Sequence, residues 1–128
     1  MNTNNILYKK IVSQTFKVSN EKINEQNVLS ICSMLSAVTN INDEVIIAFL
    51  GNLDFGKISI DHFSLDVVSN ALLNDVITLN SYIDIIREDK IKVRLEGYKK
   101  VEGREVIILN GSFGFSIQGA SLLNYSLS

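Results

Sequence analysis

The sequence predicts an α+β domain in which a helical N-terminal half packs on a C-terminal four-stranded antiparallel meander. Two patterns support this fold. Apolar residues in 62–88 recur at spacings of three and four, which is typical of an amphipathic helix, and from residue 90 onward the pattern becomes an alternation. The 128 residues are expected to form a single domain, 1–128. The same elements also permit a cone-like α+β barrel with a pocket.

The N-terminal half contains several shorter segments. Residues 5–17 are interpreted as a helix, with a strand over their second half as the alternative. Residues 24–38 predict a helix that ends at Thr39–Asn42. Residues 44–50 are assigned to a short helix, although consecutive β-branched residues suit a buried strand equally well. A short strand, either isolated or at a sheet edge, is expected at residues 58–60.

The central prediction is one long helix from His62 to Glu88 that organises the core. Its apolar stripe would cover one face, because residues three and four apart share a side of a helix. The stripe consists of Leu65, Val68, Leu72, Val76, Leu79, Ile83 and Ile86.

The C-terminal meander is predicted from alternation and turn residues. A hairpin turn is expected near Gly103, because glycine readily adopts positive φ. Asn110-Gly111 and Gln118-Gly119 are interpreted as further turns. The four strands would lie at residues 91–96, 104–109, 112–117 and 123–127.

The charge is unevenly distributed. The whole chain has a net charge of −2, but residues 41–86 hold seven acidic residues against one lysine. We expect these acids to form a partner-binding face for a basic protein. The main functional hypothesis is therefore a non-enzymatic protein-binding module, such as an immunity protein that neutralises a basic bacterial toxin. The face would consist of Asp43, Glu44, Asp54, Asp61, Asp66, Asp75 and Asp84.

Residues with catalytic potential are few, which favours a protein that is not an enzyme. His62 is the only histidine and Cys32 the only cysteine. Cys32 falls on the apolar side of its predicted helix, so we expect a buried, inert thiol. No glycine-rich phosphate-binding motif occurs. The sequence therefore assigns no catalytic residue, no metal site and no cofactor.

Two alternatives to the binding module remain open. The first is a small-molecule-binding or enzymatic pocket between sheet and helices, although a pure core role for the aromatic residues is the simpler interpretation. The second is a structural or assembly subunit that self-associates through an exposed strand edge. The pocket would be lined by His62, Tyr82, Phe113, Phe115 and Tyr125.

Nucleic acid and membrane partners are disfavoured. Lys90, Lys92 and Arg94 would share one face of a strand, but acidic residues interrupt this run and the isoelectric point is about 5.3. The N-terminus lacks a cationic start that leads into an apolar run, so no signal peptide is predicted. A single cysteine fits a reducing compartment. We therefore expect a cytoplasmic location.

Overall fold

The computed structural model describes residues 11–50, 58–87 and 89–117. Over these ranges the strands form one five-stranded antiparallel sheet in the order β1-β3-β4-β5-β2. The elements are β1 (Val12–Lys17), a short 3-10 helix (Asn20–Lys22), α1 (Ile31–Leu50), β2 (Ile58–Val67), β3 (Val76–Arg87), β4 (Lys90–Val101) and β5 (Arg104–Ile117).

This architecture contradicts the predicted helical half with a four-stranded meander. The described residues form mostly sheet, with α1 as the long helix that covers one face. The alternative barrel is also wrong, because β1 and β2 lie at opposite edges of the sheet and do not pair with each other.

Helix α1 packs on β3 and β1 through one apolar side. The Ser30 hydroxyl accepts a hydrogen bond from the backbone N–H of Ser33 (3.2 Å), which caps the first turn. Cys32 is exposed, so the prediction of a buried thiol is wrong. The buried residues of the helix are Met34, Val38, Ile41, Asn42, Val45 and Ile46.

The predicted helix end at Thr39–Asn42 lies inside α1. Ile41 and Asn42 are buried there, and the Ser81 hydroxyl of β3 donates to Asn42 Oδ1 at 3.3 Å. Packing against the sheet therefore outweighs the weak helix propensity of this segment. Residues 44–50 continue the same helix, which agrees with the preferred assignment for that stretch.

The predicted long helix from His62 to Glu88 is the largest error. Its first residues belong to β2, and residues 76–87 form β3. In β3, the buried residues Ile77, Leu79, Ser81 and Ile83 alternate with more exposed ones, which is the period of a strand. The apolar residues of 76–87 fit a helical period as well as an alternation, so their spacing alone does not distinguish a helix from a strand.

The β4–β5 hairpin agrees with the predicted alternation. Glu102 and Gly103 have φ values of 52° and 79°, as a tight hairpin turn between twisted strands requires. Asn110 and Gly111 lie inside β5 instead of forming a turn, so two predicted strands are one. The predicted fourth strand and residues 5–10 of the first segment lie outside the described residues.

Among the described helices, the segment Ile31–Phe49 is long and apolar enough to cross a membrane by length and composition alone. The core helix of a soluble protein passes the same test, and this segment packs on the sheet through its buried side. The helix therefore does not by itself indicate a membrane segment.

Candidate functional site

Two β-bulges distort the open face of the sheet, the face that points away from α1. Asp61 in β2 and Asp84 in β3 each lie at a shift in strand register. Asp61 accepts a hydrogen bond from Lys90 Nζ and Asp84 accepts one from Arg94 Nε, both at 3.0 Å. Bulges redirect side chains and are frequent beside binding sites.

Between these bulges lies a groove of about 440 Å³, here called the bulge groove. Its surface is mostly apolar, and Ile85, Ile91 and Phe115 are among the residues that line it. Three basic side chains and one carboxylate surround this apolar surface. The lining residues are Asp61, His62, Ile85, Arg87, Lys90, Ile91, Lys92, Gly114 and Phe115.

His62 lies over Gly114, its partner in the β2–β5 register. A Cβ atom at position 114 would lie 2.5 Å from His62 Cε1 and 2.7 Å from His62 Nδ1. The absence of a side chain at Gly114 therefore permits this position of the imidazole ring, which is exposed to solvent.

Asp61 holds one wall of the groove together. It accepts hydrogen bonds from the Ser116 hydroxyl and from Lys90 Nζ, and Lys90 Nζ also donates to Ser116 Oγ at 3.0 Å. The hydrogen bond from Ser116, and next that from Lys90, lowers the pKa of the Asp61 carboxyl. The hydrogen bond to Asp61 raises the pKa of Lys90. Both groups are therefore charged at neutral pH.

The residues predicted to line a pocket are only partly together. His62 and Phe115 line the bulge groove, whereas Tyr82 lines a neighbouring, more polar cavity of about 460 Å³. Phe113 is buried and stacks on Phe63 with 5.7 Å between ring centroids, so it belongs to the core. Tyr125 lies outside the described residues.

The predicted acidic residues do not share one helical face. Asp43 and Glu44 lie on α1, Asp61 and Asp66 on β2, Asp75 in the β2–β3 connection and Asp84 on β3. Asp54 lies outside the described residues. Asp61, Asp75 and Asp84 form ion pairs with Lys90, Lys99 and Arg94 respectively.

Sequence reasoning did not place Ile85 and Arg87 in a site. Both were assigned to the long helix, whereas in β3 they face Lys92 and Lys90 of β4. The alternation of Ile91 with Lys90 and Lys92 was the available signal for this basic face. Within the described ranges, no group of three or more histidine, cysteine, aspartate or glutamate residues could hold a metal ion.

Comparisons with known proteins identify the fold. No protein-family model matches the chain, and no curated protein matches it in sequence. A solved structure of a 4-hydroxybenzoyl CoA thioesterase variant, complexed with 4-hydroxybenzoyl CoA, superposes with a TM-score of 0.74 at 10% identity. The match covers 84% of this chain and 83% of that one.

Two further structures give the same result. An acyl-CoA hydrolase from Staphylococcus aureus, in complex with butyryl coenzyme A, coenzyme A and coenzyme A disulfide, has a TM-score of 0.74 at 8% identity, over 85% of this chain and 66% of that one. A hypothetical thioesterase protein from Streptococcus pneumoniae TIGR4, with coenzyme A, has a TM-score of 0.72 at 20% identity, over 89% of this chain and 83% of that one.

The chain therefore has the fold of these thioesterases. The expected immunity protein with a basic toxin as its partner is wrong, because the structural neighbours bind coenzyme A or its thioesters.

Proposed function

We propose that this protein is cytoplasmic and binds a coenzyme A thioester as its small-molecule ligand. The observation that carries the proposal is the fold shared with three proteins whose structures contain coenzyme A or acyl-CoA, over 84% to 89% of this chain. The bulge groove supports it, since an apolar surface beside basic side chains suits a ligand with an acyl chain and phosphate groups.

The test is a ligand panel with two readouts. Butyryl-CoA, 4-hydroxybenzoyl-CoA and coenzyme A are added to the purified chain, and the midpoint of thermal unfolding and the heat of binding are measured. Free butyrate serves as the control ligand. A ligand at a hundred times its Kd should stabilise the folded state by about 2.7 kcal/mol. The proposal fails if no coenzyme A compound changes the midpoint or gives a heat of binding.

Hydrolysis of the bound thioester is a second candidate, favoured by the position of His62 in the groove. Asp61 is a poor general base because its hydrogen bonds lower its pKa, whereas an exposed imidazole can accept a proton from water. Thiol release from butyryl-CoA should fall in His62→Ala while its Kd stays unchanged. Because Cys32 is exposed and would react with the thiol reagent, the assay uses a Cys32→Ser background.

A further inference from the structure

We propose that Arg87 and Lys92 form the anion-binding part of the bulge groove and hold the phosphate groups of the ligand. This inference rests on the proposed function and adds a specificity to it. The protein would discriminate a coenzyme A thioester from a pantetheine thioester that carries the same acyl group but no phosphate.

The cations around the bulge groove differ in whether they have an ion-pair partner. Along β4, Lys90, Arg94 and Lys99 each pair with a carboxylate at 2.8–3.0 Å. Arg87 and Lys92 form no ion pair with another described residue. Their charges are therefore available to a ligand, whereas neighbouring cations are already neutralised.

The register of the β3–β4 pair brings Arg87 and Lys92 close together. Arg87 pairs with Lys90, and Ile85 pairs with Lys92, so Arg87 and Lys92 are diagonal neighbours on the open face. Diagonal positions in an antiparallel pair lie roughly 7–8 Å apart, which long side chains can span. A guanidinium and an ammonium group can thus approach one phosphate from two sides, and arginine can bind it with two parallel hydrogen bonds.

An apolar surface lies beside these two charges. Ile85 lies next to both in the strand register, and Phe115 and Gly114 continue the lining across β5. A ligand with a phosphate at one end and an acyl group at the other would match this arrangement. Neither a free sugar nor a purely apolar molecule would use both parts.

The test compares two ligands on two charge variants. Butyryl-CoA and butyryl-pantetheine share the acyl group and the thioester but differ in phosphate content. The variant Arg87→Gln/Lys92→Gln removes the proposed site. Lys100→Gln/Arg104→Gln removes the same charges near the β4–β5 turn, outside the groove, and is the matched control. Both ligands are titrated by calorimetry at low and at high salt.

The wild type should bind butyryl-CoA at least about tenfold more tightly than butyryl-pantetheine, because charged hydrogen bonds to phosphate are the strong kind. The groove variant should lose most of this preference and keep its pantetheine affinity, whereas the control variant should retain both Kd values. Added salt should weaken the wild type more than the groove variant, since salt screens exposed charges.

The outcomes separate the two proposals. If butyryl-CoA binds the wild type and the groove variant equally, the anion site is wrong while the proposed function stands. If the wild type binds neither ligand, both proposals fail. Inorganic pyrophosphate provides a measurement that needs no variant: it should compete with butyryl-CoA for the wild type, and the absence of competition would also overturn the anion site.

Discussion

A single glycine determines where the only histidine of the chain can lie. We predict that Gly114→Ala displaces the His62 ring, because the new Cβ would lie 2.5 Å from His62 Cε1. The ring is exposed and can rotate away, so the loss of stability should be small, about 1 kcal/mol or less. The ring signals of His62 in NMR spectra need no assignment, since no other histidine occurs.

The expected result is a shift of those signals in Gly114→Ala, together with slower thiol release from butyryl-CoA, because His62 is the proposed proton acceptor. Ser112→Ala, two residues away on the same face of β5, is the control and should leave the His62 signals in place. Unchanged signals in Gly114→Ala would mean that the ring does not lie over this glycine.

At the scale of elements, the β2–β3 connection is fastened to β4 by one ion pair. Lys99 Nζ donates to Asp75 Oδ2 at 2.8 Å and to the Asn70 carbonyl oxygen at 3.0 Å, and the Leu72 N–H donates to Asp75 Oδ2 at 2.8 Å. Burial alone would raise the pKa of the Asp75 carboxyl. The hydrogen bonds from Lys99 and Leu72 outweigh burial and lower it below 3.8.

This lowered pKa predicts an acid-dependent contribution to stability. The unfolded chain binds the Asp75 proton more readily, so the contribution is complete above the unfolded value of 3.8 and is lost as the pH falls through the folded pKa. Asp75→Asn should cost about 1 kcal/mol at neutral pH, and the difference from wild type should shrink below a pH of about 4. Urea unfolding at several pH values measures it, with the exposed Asp66→Asn as control. A loss of stability in Asp75→Asn that does not change with pH would contradict the lowered pKa of the Asp75 carboxyl.

At the scale of the whole molecule, the sequence predicted some elements and not their arrangement. The β4–β5 hairpin was predictable because turn chemistry and alternation agree there. The sheet at residues 76–87 was missed because its apolar residues satisfy a helical period as well as a strand period. The groove was missed for the same reason, since it requires Ile85 and Arg87 to pair with β4.

The two faces of the sheet divide stability from binding. On the face toward α1, a Cβ at Gly97 would lie 2.8 Å from Leu79 Cδ2 and 3.0 Å from Leu109 Cγ, inside the packed core. Gly97→Ala should therefore cost about 1–3 kcal/mol, as overpacked cores do. On the open face, Arg87 and Lys92 form no ion pair with a described residue, so neutralising them should leave the unfolding free energy nearly unchanged.

We therefore predict that the two sets of substitutions have opposite effects. Gly97→Ala should lower the unfolding midpoint, while the folded fraction binds butyryl-CoA with the wild-type Kd. Arg87→Gln/Lys92→Gln should leave the midpoint nearly unchanged and weaken the binding of butyryl-CoA. Thermal unfolding and calorimetric titration of both variants at the same temperature check this. A fall of both affinity and stability in both variants would contradict this prediction. The groove would then depend on the packing of the core, because β4 contributes residues to both faces of the sheet.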